Sequence, residues 1–146
     1  MIDCILVVCE GNVCRSPMAQ GLLARQFPGV RVMSAGLAAL VGRSADPVAI
    51  ELMAERDIDI GSHIAADLSL FHVRSADLVL SMTQEQRKGI ETNYPFAKGK
   101  VYRLGEREGI DVLDPYRKGR AVFEIAVAQI ERGVAHWSDA MVRLTH

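Results

Sequence analysis

The sequence predicts an α/β domain built on a four-stranded parallel sheet with helices on both faces, and three observations carry that expectation. Short aliphatic and β-branched runs, such as Ile5-Leu6-Val7-Val8 and Leu78-Val79-Leu80, alternate with segments of helical periodicity, the pattern of parallel strands joined by crossover helices. The runs are continuously apolar rather than alternating, as strands covered on both faces are. The last segment carries one long stripe, Phe123, Val127, Ile130, Val134, Trp137, Met141 and Leu144, at three- and four-residue intervals, which is how a helix docks on a sheet. A chain of 146 residues fits a single domain, 1–146, with one sizeable core.

Each element has a local cause. The first strand covers Ile5 to Val8 and delivers Cys9 to the carboxyl edge of the sheet. Ser16 followed by Pro17 reads as N-cap and first helical residue, opening a helix to about Phe27 with Met18, Leu22 and Leu23 inward, stopped by Pro28-Gly29. Val30 to Met33 is the second strand and leads into Ser34-Ala35-Gly36. Asp46-Pro47 repeats the cap-then-proline signature for a helix to about Arg56, with Ala49, Leu52 and Met53 inward. A short helix is expected within 66–74. Leu78 to Met82 is the third strand, Thr83 and Gln86 form a capping box for a helix to about Thr92, and Lys100 to Leu104 is an edge strand. Gly133 interrupts the last helix at about 1 kcal/mol relative to alanine, which long-range packing absorbs.

The chemistry lies between the first strand and its helix, in Cys9-Glu10-Gly11-Asn12-Val13-Cys14-Arg15-Ser16. Gly11 and Asn12 tolerate the backbone angles that turn successive N–H groups inward, and a ring of amides at a helix N-terminus binds an anion. A thiol is a poor nucleophile until it ionises, and such a ring, with Arg15 beside it, favours the ionised form. Arg15, six residues after Cys9, returns to the loop opening and can clamp two phosphate oxygens. The layout suits covalent phosphoryl transfer from the substrate to Cys9. No metal or cofactor is expected: Cys4, Cys9 and Cys14 are spaced by five rather than as a zinc pair, and Cys4 reads as strand core.

Departure of the leaving oxygen from phosphorus needs a proton, and Asp114, stiffened by Pro115, is the candidate acid, with Asp111 as runner-up. Tyr116 is placed to flank an aryl ring. Arg117, Lys118 and Arg120 form a local basic cluster that would draw acidic phosphopeptides, whereas Glu10 must point outward at the pocket rim. Cys14, in the same loop as Cys9, is a candidate redox partner through a disulfide. His72, His136 and His146 are given no role.

Composition narrows the class. With 49% hydrophobic and 24% charged residues and a net charge of −1, nothing calls for nucleic acid or membrane insertion. Three cysteines in a strand and an anion loop fit a reducing compartment, and the start Met1-Ile2-Asp3-Cys4 lacks a basic leader, so a cytoplasmic location is expected.

The run Cys9 to Pro17 resembles the phosphate loop of the low-molecular-weight protein tyrosine phosphatases. Ser34-Ala35-Gly36, Gly42-Arg43-Ser44-Ala45-Asp46-Pro47, His63 after Gly61-Ser62, Asp77 to Met82, and Asp114-Pro115-Tyr116-Arg117-Lys118 extend the resemblance over essentially the whole chain. It implies a strand order of 2-1-3-4 and hydrolysis of phosphotyrosine through a phosphocysteine intermediate. It also implies that residues 10–16 bind phosphate, that Asn12, Ser16, Ser34 and His63 brace the loop, and that Leu40 forms part of the rim. The Leu40-Val41-Gly42 and Asp114 to Lys118 stretches look most like bacterial members that oppose a tyrosine autokinase in exopolysaccharide production. Two alternatives share the fold. A protein arginine phosphatase carries a threonine where this chain has Val13, and a thiol-coupled arsenate reductase needs further cysteines, of which 83–99 holds none.

Overall fold

The computed structural model describes residues 1–145, with side chains through residue 143, so His146 and the side chain of Leu144 lie outside the described part. Nine main elements follow one another: β1 (Cys4–Cys9), α1 (Arg15–Gln26), β2 (Arg31–Gly36), α2 (Pro47–Ala54), α3 (Leu70–Ser75), β3 (Leu78–Ser81), α4 (Gln84–Asn93), β4 (Val101–Arg103) and α5 (Arg120–Thr145). The four strands are parallel and ordered β2-β1-β3-β4, as the sequence and its resemblance predict.

Strand β1 explains why the sheet has two cores. All six of its residues are buried, and successive side chains leave opposite faces. Ile5, Val7 and Cys9 join residues of α1, α2 and α5, whereas Leu6 and Val8 pack with Val73 of α3 and Ile90 of α4. Pairing of Cys9 with Gly36 and of Val8 with Ser81 brings three strand ends level. The loops after β1, β2 and β3 therefore open at one edge, where open α/β sheets bind ligands.

Several boundaries differ from expectation for identifiable reasons. Helix α1 begins at Arg15 with Cys14 at the N-cap and no side-chain cap, so Ser16 is not the cap and Pro17 is the third helical residue rather than the first. Strand β2 runs on through Ser34-Ala35-Gly36 because β1 offers partners as far as Cys9. The helix expected within 66–74 begins only at Leu70. Residues before it are extended, Asp67 bridging to Gly36, and Ser69 and His72 form the capping box that starts it. Asp46 caps α2 through Val48 N–H at 2.9 Å, and Thr83 with Gln86 caps α4, as read from the sequence.

Of the stripe on α5, Phe123, Val127, Ile130, Val134 and Met141 are buried. Trp137 is half-buried and donates its indole N–H to the Leu104 carbonyl at 3.1 Å. Gly133 has a reason that sequence could not show. A Cβ there would lie 2.8 Å from Leu104 Cγ and 2.9 Å from Leu104 O, so the helix rests directly on the chain leaving β4. Gly133→Ala is expected to destabilise the protein by about 1–3 kcal/mol in chemical denaturation, despite alanine's higher helix propensity. A neutral or stabilising result would show that α5 does not depend on this approach.

Candidate active site

The loop from Cys9 to Arg15 is shaped by what its carbonyls do. Those of Cys9, Glu10, Gly11 and Val13 accept from the backbone N–H groups of Leu37, Ala38, Leu40 and Asp46 at 2.8–3.0 Å. That of Asn12 accepts from His63 Nε2 at 2.7 Å, which makes His63 the Nε2-protonated tautomer. Within each planar peptide unit the C=O and the next N–H point in opposite directions. Five consecutive carbonyls tied outward to residues 37–63 therefore turn the N–H groups of residues 10–14 inward. Gly36 permits the approach, since a Cβ there would sit 2.6 Å from Glu10 O.

Asn12 is fully buried and holds a left-handed backbone with φ 58°, a conformation asparagine tolerates better than most residues. Its side-chain oxygen accepts from Ala66 N at 2.9 Å, which fixes the amide so that Nδ2 donates to Ser16 Oγ at 2.8 Å and Ser34 Oγ at 3.1 Å. Ser34 Oγ donates to Gln20 Oε1 at 2.8 Å, and Gln20 Nε2 donates to the Val32 carbonyl. Ser16 Oγ lies 2.9 Å from Cys9 Sγ, and towards a thiolate, which has no proton to give, the hydroxyl is the donor. The Asn12 N–H reaches the same sulfur at 3.2 Å. Two converging donors suit an anionic sulfur.

Arg15 is 4% exposed. Its Nη1 donates to the Val112 carbonyl at 3.0 Å and its Nη2 lies 3.5 Å from Asp114 Oδ2. The far end of Asp114 is held as well, because Oδ1 accepts from Tyr116 N–H at 3.1 Å, leaving Oδ2 directed at the arginine. The segment before Asp114 is pinned by Val112 N–H on the Met82 carbonyl and by Leu113 N–H on Gln129 Oε1, each at 2.8 Å. Asp111 is engaged elsewhere, with Arg103 Nη1 at 3.2 Å and Gln84 N–H at 3.0 Å.

A cavity of about 170 Å³ joins these groups, lined by Cys9, Glu10, Gly11, Val13, Cys14, Arg15, Ala38, Leu40, Asp114 and Tyr116. Asn12, Ser16, Ser34 and His63 do not line it; they stand behind the loop. Burial, then the charge of Asp46 with those of Cys9 and Asp114, pushes the Cys14 thiol well above its ordinary range against the pull of Arg15, so Cys14 stays protonated. Gln20 and Gln129 have no sequence signal: each is one polar residue on a helix, and only the tertiary contact gives it a partner.

One expectation is corrected. Arg120 does not join Arg117 and Lys118 as a free basic cluster, because its guanidinium is paired with Glu51 of α2, with Glu55 at the C-cap of that helix and with Glu124 one turn along α5. Those carboxylates raise its pKa further, and they hold the start of α5 against α2.

The hydrogen-bond chain makes a prediction independent of turnover. Iodoacetamide near neutral pH should alkylate Cys9 and spare Cys4, which does not line the cavity, and Cys14, which keeps its proton. Ser16→Ala should slow that alkylation roughly tenfold or more, a hydrogen bond to a charged acceptor being worth about 1.5–3 kcal/mol. An unchanged rate would mean that the Ser16 hydroxyl does not act on the sulfur.

Comparison with known proteins agrees with this geometry. Residues 4–145 match the family model for low molecular weight phosphotyrosine protein phosphatase. A relative from Ralstonia solanacearum, named "Probable low molecular weight protein-tyrosine-phosphatase EpsP", is 53% identical over 137 residues, 94% of each chain. The tyrosine phosphatase AmsI of Erwinia amylovora superposes with a TM-score of 0.91 at 35% identity, over 96% of this chain and 93% of that one. The YwlE arginine phosphatase of Geobacillus stearothermophilus superposes with a TM-score of 0.90 at 34% identity, over 98% and 96%. With its phosphate-type loop after β1, its sheet order and this family match in agreement, the chain belongs to the low molecular weight phosphotyrosine protein phosphatase family.

Proposed function

We propose that this protein hydrolyses phosphotyrosine in proteins through a phosphocysteine intermediate. The observation that carries the reading is one cavity lined by a thiol, a buried guanidinium and a half-exposed carboxyl, beneath a ring of inward amides. The phosphate dianion enters that ring and takes the place of Asp114 beside Arg15. Cys9 Sγ attacks phosphorus in line, forming the S–P bond as the P–O bond to the phenol breaks, and the protonated Asp114 gives its proton to the departing oxygen. Arg15 and the loop amides stabilise the charge on the equatorial oxygens. In the second half, water attacks phosphorus, the ionised Asp114 takes its proton, and the S–P bond breaks to return the thiolate and release phosphate.

Leu40 and Tyr116 line the mouth of the cavity and are assigned to the aryl ring. Val13, also a lining residue, favours phosphotyrosine over phosphoarginine. Its side chain cannot accept a hydrogen bond, so a bound guanidinium would go unpaired, whereas a phenyl ring loses nothing. Fold likeness alone does not separate the two, since tyrosine and arginine phosphatases superpose on this chain equally well. Arsenate reduction is disfavoured because Cys4 lies in β1 and the only cysteine beside Cys9 in the loop is Cys14. The likeness of the Leu40 to Gly42 and Asp114 to Lys118 stretches to bacterial members that oppose a tyrosine autokinase supports such a kinase's tail as partner, in exopolysaccharide production. Three free thiols support a reducing, cytoplasmic setting.

The test is a side-by-side assay of phosphotyrosine, phosphoarginine, phosphoserine and arsenate. Phosphotyrosine should be the preferred substrate, Cys9→Ser should abolish turnover, and rapid acid quench should trap labelled phosphate on Cys9. Label on Cys14 would overturn the assignment. Asp114→Ala should slow phenyl phosphate by about 100-fold or more while sparing aryl phosphates with activated leaving groups, which need little protonation. An equal loss across leaving groups would place the acid elsewhere.

Cys14 is assigned the part of redox partner: peroxide converts the Cys9 thiolate to a neutral sulfenic acid, removing one of the charges that hold the proton on Cys14. The Cys14 sulfur then attacks as its proton leaves with the sulfenic hydroxyl as water, closing a disulfide. Peptide mapping after mild peroxide should find the Cys9 to Cys14 bridge. Full recovery of Cys14→Ser by reductant after prolonged exposure would show that no protection exists.

A further inference from the structure

A second groove of about 610 Å³ continues from the phosphate cavity, sharing Val13, Leu40 and Tyr116 with it. Residues 42–47 form one wall, with Tyr116 and Arg117 opposite. Three charged side chains line it: Arg43, Asp46 and Arg117. Asp46 accepts from Val48 N–H as the cap of α2 and keeps its negative charge, so the two arginines outnumber it in the groove. Most arginines of this protein are neutralised, Arg15, Arg56, Arg87, Arg103, Arg107, Arg120, Arg132 and Arg143 each having a carboxylate partner. Among the described residues Arg25, Arg31, Arg43, Arg74 and Arg117 have no such partner, and of these five Arg43 and Arg117 line the groove.

Both are nevertheless presented by fixed backbone. Arg43 donates its N–H to Leu40 O at 3.1 Å and accepts from Ala65 N at 2.8 Å. Arg117 sits in a turn closed by Lys118 N–H on Pro115 O at 2.9 Å. It has a left-handed φ of 61°, a conformation costly for a side-chain-bearing residue and retained where the surroundings require it. Its guanidinium lies over the Tyr116 ring, 5.2 Å from the centroid, which stiffens the side chain while leaving its N–H edge for a ligand. Among the residues lining the phosphate cavity the exposed charges are negative, Asp114, which faces Arg15, and Glu10, which has no cationic partner among the described residues.

We propose that this groove is a subsite for a carboxylate side chain of the substrate polypeptide, gripped between Arg43 and Arg117 and lying on one flank only of the phosphotyrosine. The inference rests on the phosphatase reading and names the substrate class that reading leaves open. The shared walls put the acid within about three residues of the phosphotyrosine, at roughly 3.3–3.6 Å of extended chain per residue. Glu10 disfavours an acid that approaches from the rim it occupies, so the preference is directional.

The experiment uses phosphotyrosine peptides carrying Asp or Glu at single positions on either flank, each paired with its Asn or Gln isostere. At low ionic strength an acid on one flank should raise kcat/KM about two- to fivefold per arginine engaged, the scale of an exposed ion pair, chiefly through KM. An acid on the other flank should give no gain. The gain should fall towards unity at high salt, and Arg43→Gln with Arg117→Gln should remove it. An acid-to-amide ratio of one in the parent, or a ratio that survives in the double variant, overturns the subsite. Turnover of free phosphotyrosine by the parent separates the two levels: if it is turned over and the peptides are not discriminated, only the subsite falls, and if it is not turned over, the phosphatase reading falls and takes the subsite with it.

Discussion

The arrangement on which the rest depends is the outward tethering of five successive carbonyls in the loop after β1. A loop of that length without such tethers would spend its amides on its own carbonyls or on water, and no anion cradle would exist. Asn12 sits at the centre. Its N–H, carbonyl, side-chain oxygen and both side-chain protons each have a partner, which holds a positive-φ residue where sterics alone would not keep it. Replacing it would leave several buried polar groups unpaired at once, each costing about 1–3 kcal/mol.

That loop is held from two sides of the sheet edge. The segment 37–46 and His63 hold its outer surface, and Arg15 holds the loop that carries Asp114 by donating to Val112 O. The proposed phosphate clamp and the proposed acid are thus one mechanical unit: the arginine assigned to the anion also anchors the chain that bears Asp114. Gln129 from α5 and Met82 at the end of β3 add the remaining contacts, so the packing of α5 bears on the site although none of its residues lines the cavity. Gly133, by letting α5 rest on Leu104, belongs to the same support.

Polar groups here divide by whether they have been neutralised. Arg120 is tied to three carboxylates and serves to join α5 to α2. Arg43 and Arg117 are left with unpaired charge beside the cavity. Residues that look equivalent in sequence therefore do different work, and a basic cluster cannot be read as a binding surface until its partners are known.

The sequence by itself determined the sheet, the helices and the identity of the reactive groups. Continuous apolar runs, cap residues such as Asp46 and Thr83, and the Cys9 to Arg15 spacing are local signals, and each reflects a local physical cause. Tertiary structure alone decided how those groups are used. Ser16 reads from the sequence both as the cap of α1 and as a group facing the thiolate; only the second holds, since Cys14 takes the N-cap and the Ser16 hydroxyl lies between Asn12 Nδ2 and Cys9 Sγ. Gln20, Gln129 and Gly133 carry no pattern of their own, since their partners are 12 to 29 residues away: Val32, Leu113 and Leu104. A hydrogen bond or a close approach across that separation depends on where the chain returns, and periodicity along one segment holds no record of it.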